Sequence, residues 1–116
     1  MRDILLQCAG VLAIAAALIH GVLSETRIFA RVTIEPARLR SLFRLVFQIL
    51  TVTWIAFGVL AIAAPSMESE AARHWIVAAF ACVLAFSALG NVWGNRGKHF
   101  GWMVLGASAA LAAAGF

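Results

Sequence analysis

Charge is scarce in this chain. Only 12% of its 116 residues are charged and 64% are hydrophobic, against roughly 25% and 45–50% in soluble domains. With a mean hydropathy of +0.97, a water-soluble fold is excluded, because so much apolar surface cannot be hidden inside a single small domain. Cysteine is scarcer still. Cys8 and Cys82 both fall within apolar runs, where a thiol acts as a small hydrophobe, so neither a disulfide nor a CxxC metal motif is indicated. There is no Ser/His/Asp set, no carboxylate pair and no phosphate-cradling glycine loop, which leaves no support for an enzyme. The net charge of +4 comes from basic residues gathered at the ends of apolar runs, not spread over a face with aromatics between them. Nucleic acid is therefore excluded as a partner, and the anionic headgroups of a lipid bilayer are the expected counter-charge.

What is present is four apolar stretches. The first, Ile4 to Leu23, would be about 30 Å long as a helix, one hydrocarbon thickness. It is too long for a signal-peptide core of about 7–15 residues and is taken as a retained span. Ala9, Ala13, Ala17 and Gly21 form a small-xxx-small stripe along it, and a second such stripe, Gly106, Ala110 and Ala114, marks the fourth stretch; both predict close helix packing. The second span runs over 45–64 and the third over 75–93, bracketed by Trp75 and Trp93 in the manner of interfacial anchors. The fourth covers 100–116. The fold predicted is an all-α, single-domain transmembrane bundle of four helices, up-down-up-down. Residues 24–44 form a basic hinge with Pro36 at the start of the second helix, and the short turn Gly94 to His99 makes the last two helices antiparallel.

Orientation follows from the basic residues. Arg27, Arg31, Arg38, Arg40, Arg44, Arg96 and Lys98 lie on one side, and only Arg2 and Arg73 on the other. Lys and Arg are retained in the cytoplasm, so both termini are expected outside, in a bacterial inner membrane. Arg27, Arg31, Arg38 and Arg40 are expected to contact lipid headgroups. Just inside the membrane at the hinge end, His20 and Gln48 lie at matched depth, roughly 5 Å below the boundary. They make a polar layer with Thr51, Ser87 and Asn91, and Glu25, Arg44 and His99 stand at its rim. These eight residues are the candidate ligand site, a cytoplasm-facing pocket; hydrogen bonding that merely fixes helix register explains the same pattern. Trp54, near mid-span, needs an internal partner for its indole N–H.

The segments IHGVLSETRIFA, FRLVFQILTVTW and NRGKHFGW resemble a group of small bacterial four-helix membrane proteins without an assigned function. In that group a His-Ser-x-x-Gly-Glu-Arg pattern closes the first helix, Trp-His-x-Thr-Ser-x-x-Trp lies in the second, and Gly-x-His-x-Gly-Trp precedes the fourth. The resemblance singles out His20, Glu25, Arg27, Thr51, Trp54, His99, Gly101 and Trp102. It departs where Phe47 and Gln48 replace Trp-His and where Ser24 replaces Gly, so a second intramembrane histidine is missing here. Small multidrug-resistance transporters are similar only in outline, since no helix interior here carries Asp, Glu or Lys. The glycine-rich, arginine-containing first-helix signature of fluoride channels is also absent. Three functions remain as expectations. The first is a non-enzymatic bundle without cofactor that oligomerises or docks on a larger membrane complex; the others are a small-solute transporter or channel acting as an oligomer, and a haem- or metal-binding membrane protein.

Overall fold

Four helices follow one another in a computed structural model that describes all 116 residues: α1 (Arg2–Leu23), α2 (Ala37–Ala63), α3 (Glu70–Asn95) and α4 (Gly101–Ala114), with no strand. Consecutive helices run antiparallel. Arg2 at the start of α1 reaches Glu70 at the start of α3, and Arg73 of α3 reaches Gly115 just past the end of α4. Three helical segments, Arg2–Phe29, Ala37–Met67 and Glu70–Asn95, are long and apolar enough to cross a membrane. The fourth differs from the predicted 100–116 stretch: its 14-residue helix is about 21 Å long, short of the roughly 30 Å hydrocarbon core. The long axis of the molecule, 49 Å, is somewhat longer than the hydrocarbon and headgroup zones together, about 40–45 Å.

Large apolar side chains cover much of the surface. Val11, Leu18 and Val22 on α1, Ile49, Val52 and Val59 on α2, and Phe86, Leu89 and Trp93 on α3 all face outward. Apolar patches that extend the length of three helices are not found on soluble monomers. The fold is thus a helical bundle compatible with a membrane protein, and lipid is what such faces suit.

α1 is the central helix, packed on α2 and α4, while α3 packs on α4 and meets α2 only sparsely. Its alanine stripe is used within the chain, since Ala9, Ala13 and Ala17 are fully buried and Ser108 of α4 donates to the Ala9 carbonyl at 2.8 Å. On the adjoining face of α1 the crossing with α2 is glycine against glycine. A Cβ on Gly10 would come within 2.5 Å of the Gly58 carbonyl oxygen, and one on Gly58 within 2.8 Å of the Gly10 carbonyl oxygen. The second stripe behaves otherwise than expected. α4 buries Leu105, Ser108 and Ala112, whereas Gly106 has nothing within reach of an added Cβ and Ala110 and Ala114 are exposed. The 105/108/112 spacing turns the small-residue face away from the bundle.

Local sequence explains the helix ends. Past Leu23 the backbone widens into a π-helical turn, Ser24–Phe29. There the Ser24 and Thr26 hydroxyls donate to the His20 and Val22 carbonyls, at 2.6 and 2.8 Å, the back-bonding that loosens a helix end. Pro36 has an extended backbone and stands just before α2, one position earlier than a first-turn proline. The connection after α2 is shorter than the ten-residue loop predicted. Ser69 accepts from the Ala72 N–H at 3.2 Å and so caps α3 at Glu70, with the acid in the first turn where the helix dipole favours it. α3 stops where Arg96 and Gly97 take left-handed backbones, φ 51° and 72°, and the Gly97 N–H returns to the Val92 carbonyl at 2.8 Å.

Arg73, expected on an outer loop, is instead buried at 5% exposure. Its guanidinium donates twice to the Gly115 carbonyl, at 3.2 and 2.9 Å, and once to Asp3. That clasp joins the start of α1, the start of α3 and the end of α4 opposite the hinge.

Candidate functional site

The predicted polar layer exists at the hinge end, but it is divided in two by the α1–α2 seam. On one side Glu25 accepts from Arg44 Nε at 3.0 and 2.8 Å and from Gln48 Nε2 at 3.1 Å. Gln48 also leans on the Gly21 carbonyl at 3.4 Å. The Glu25 carboxyl lies beyond the apolar stretch 4–23, and the Arg44 hydrogen bond holds it below its ordinary range, with Gln48 adding to the effect. This group ties the end of α1 to α2.

On the other side is a cleft of about 800 Å³ between α1–α2 and α3–α4. The sparse meeting of α2 with α3 leaves it open. Those two helices touch through Phe57 stacked on Phe80 and through the Trp54 indole, which donates to Ser87 Oγ at 3.3 Å while Ser87 donates to Val83 O at 2.7 Å. Trp54 thus has the internal partner its position requires. With Ala16 and Leu105, buried like it, it lines the deep part of the cleft.

His20 stands on the cleft wall. Its Nδ1 is 2.8 Å from Thr51 Oγ1, and its ring is stacked on Phe47 and tilted against Trp54, with centroids 5.6 and 4.8 Å away. Nε2 makes no hydrogen bond and is not sealed from the cleft. His20 and Gln48 do not bond each other. Gln48 and Thr51 lie one turn apart on the same face of α2, and the histidine meets the deeper of the two. Asn91 and His99 also line the cleft. His99 Nδ1 accepts from the Gly101 N–H at 3.1 Å and its ring stacks on Phe100. Asn91 Oδ1 is the one buried side-chain oxygen or nitrogen in the protein without a partner.

Of the eight site residues, His20, Asn91 and His99 therefore line the cleft. Thr51 and Ser87 support its wall by holding His20 and Trp54, and Glu25, Arg44 and Gln48 belong to the seam. Arg27 and Arg31, predicted as headgroup contacts, also line the cleft and make no ion pair. Asn95 joins them. A signal for the first existed: Arg27 is seven residues after His20, two helical turns on the same face. Arg40 instead donates to the Phe29 carbonyl across the hinge, and Arg38 is exposed outside the cleft. The lining of two arginines, two histidines, two asparagines and a serine contains no carboxylate, and apolar walls complete it. Such a surface can hold an anion attached to a hydrocarbon body. No group of three or more His, Cys, Asp or Glu converges anywhere in the chain.

Fold and site together define a helical bundle with membrane-capable helices and a basic cleft at one end. Set beside protein-family models, curated proteins and solved structures, the chain matches none of them.

Proposed function

We propose that this chain is a non-enzymatic, four-crossing component of a bacterial inner membrane, with the basic hinge inside and both termini outside, that acts by assembling with copies of itself or with a larger membrane complex. The observation that carries it is the unpartnered small-residue face of α4, Gly106, Ala110 and Ala114. Against lipid such a face gains little, whereas a second helix can approach it closely and recover van der Waals contact. The short α4 fits the same reading, since a helix of 14 residues is poorly matched to the bilayer alone and mismatch drives association. The α1 stripe is not available for this role, being consumed inside the chain. Two differently tagged copies expressed together test it. They should co-purify from neutral detergent, alone or with a defined complex, and the combined Gly106→Leu and Ala110→Leu changes should abolish this while leaving helicity intact. Unchanged assembly in that variant refutes the reading.

The cleft favours a second reading, a small-solute transporter acting as an oligomer, because it opens at the hinge end and reaches Trp54. Growth or flux phenotypes confined to one solute would select it.

A further inference from the structure

Three features of the hinge-end cleft have no role in the bundle's own cohesion. Arg27 and Arg31 line its mouth, exposed and without a carboxylate within ion-pair distance. The other arginines of this region are engaged or lie elsewhere: Arg44 is paired with Glu25, Arg40 is bonded to Phe29 O, and Arg38 and Arg96 are outside the cleft. Asn91 Oδ1 is buried without a partner, a costly state that a bound group relieves; the amide's orientation can reverse, so Asn91 can offer either a donor or an acceptor. His20 leaves Nε2 unpaired at the same wall, with Phe47 and Trp54 fixing its ring.

The apolar part of the lining shows what kind of molecule is attached to the anion. Ile19, Leu23, Val104 and Leu105 continue inward from the arginines to Trp54, so one end of the cleft is cationic and the other is hydrocarbon. Its volume, about 800 Å³, lies within the 300–1,000 Å³ typical of ligand sites and exceeds what a bare inorganic anion fills.

We infer that the cleft is a specific site for an anionic phospholipid. Arg27 and Arg31 hold the headgroup phosphate, Asn91 and His20 Nε2 bond its polar oxygens, and part of an acyl chain lies along Leu23, Val104 and Leu105 toward Trp54. When Nε2 donates, the Thr51 hydroxyl turns to donate to Nδ1, so one hydrogen-bond chain links α2 to the lipid. The site rests on the bilayer placement proposed above, but on neither the inside–outside assignment nor the assembly.

The test uses the full chain, stripped of lipid in a neutral detergent and titrated with phosphatidylglycerol or phosphatidylcholine, with bound lipid counted by native mass spectrometry. Phosphatidylglycerol should bind at least tenfold more tightly. The Arg27→Gln/Arg31→Gln double variant should lose about thirtyfold, the factor for two arginines at about 1 kcal/mol each toward an anionic headgroup, and Arg38→Gln should lose less than twofold. Gly94→Leu offers an independent block. It lines the cleft and an added Cβ there meets nothing within 4 Å, so it should exclude the lipid without disturbing the helices. Equal affinity for the two lipids, or an equal loss in Arg38→Gln, would overturn the site as mere basic surface. Displacement of the lipid by millimolar inorganic phosphate would overturn the lipid assignment in favour of a soluble oxyanion. Failure to fractionate with membranes would instead defeat the bilayer placement itself.

Discussion

Replacing one hydrogen by a methyl group at Gly10 should damage this protein, while the same change at Gly106 should help it. A Cβ on Gly10 falls 2.5 Å from the Gly58 carbonyl oxygen, and ordinary contact begins near 3.4 Å, so α1 and α2 must part by almost 1 Å at their crossing. Neither atom belongs to a side chain that can swing away. Overpacking of this kind costs typically 1–3 kcal/mol, and alanine returns at most about 1 kcal/mol through its better helix propensity. The expected net loss for Gly10→Ala is therefore about 1–2 kcal/mol. At Gly106 nothing in the same chain lies within 4 Å of the added atom, so for the fold of the single chain only the propensity gain remains, up to about 1 kcal/mol. Gly58→Ala should resemble Gly10→Ala, and the double variant should cost less than the sum, because one separation of the helices accommodates both methyls. Reversible unfolding in mixed micelles with rising dodecyl sulfate, followed by far-ultraviolet circular dichroism, gives all four values. A Gly10→Ala protein as stable as Gly106→Ala would refute the close crossing and, with it, the placement of His20 beside Thr51.

Other outcomes follow from single groups. Thr51→Val removes the His20 partner and should cost about 0.6 kcal/mol, the usual worth of a hydrogen bond between membrane helices; a His20→Ala/Thr51→Val cycle without coupling would show the pair is not formed. Arg73→Met removes three hydrogen bonds from a buried guanidinium and should cost roughly 1.5–3 kcal/mol in the same unfolding assay. Asp3→Asn, which leaves both bonds to Gly115, should cost less, and the reverse order would contradict the clasp. Because the Glu25 carboxyl is held below its ordinary value by Arg44, its contribution is complete above the unfolded pKa near 4.5 and is lost as pH falls through the lower folded value. The melting-temperature difference between the protein and Glu25→Gln in detergent should thus be flat above about pH 5 and shrink below it; a difference that grows on acidification would reverse the sign.

The helices were legible because long apolar runs bounded by arginine or proline have few other outcomes, and α2 begins at Ala37, next to the proline that announced it. The connection between α2 and α3 was less so. PSMESEAARH reads as a polar loop, yet Ser69 caps a helix within it, a signal that could have been taken from the acid immediately following. Arg73 illustrates the harder limit. Nothing local distinguishes it from an exposed basic residue, since its burial depends on Asp3 and Gly115, far away in the chain. The candidate site was half legible. Depth along each helix follows from residue count and brought His20, Asn91 and His99 to one layer, but rotation about the helix axis decides which neighbours meet. That rotation sent Gln48 to Glu25 and Thr51 to His20. The α4 stripe obeys the same limit, because small residues announce close packing without saying whether the partner lies in the same chain, and within this chain it has none.

Fusions of reporter domains test the central claim most directly. Alkaline phosphatase, active only outside the cytoplasm, should be active when joined after Phe116 and inactive when joined after Arg38, and green fluorescent protein at the same two sites should give the opposite pattern. An inactive phosphatase after Phe116 together with an active one after Arg38 would place the basic hinge outside, and equal activity at both sites would mean an even number of crossings between them, contradicting four antiparallel spans organised around a cytoplasmic hinge.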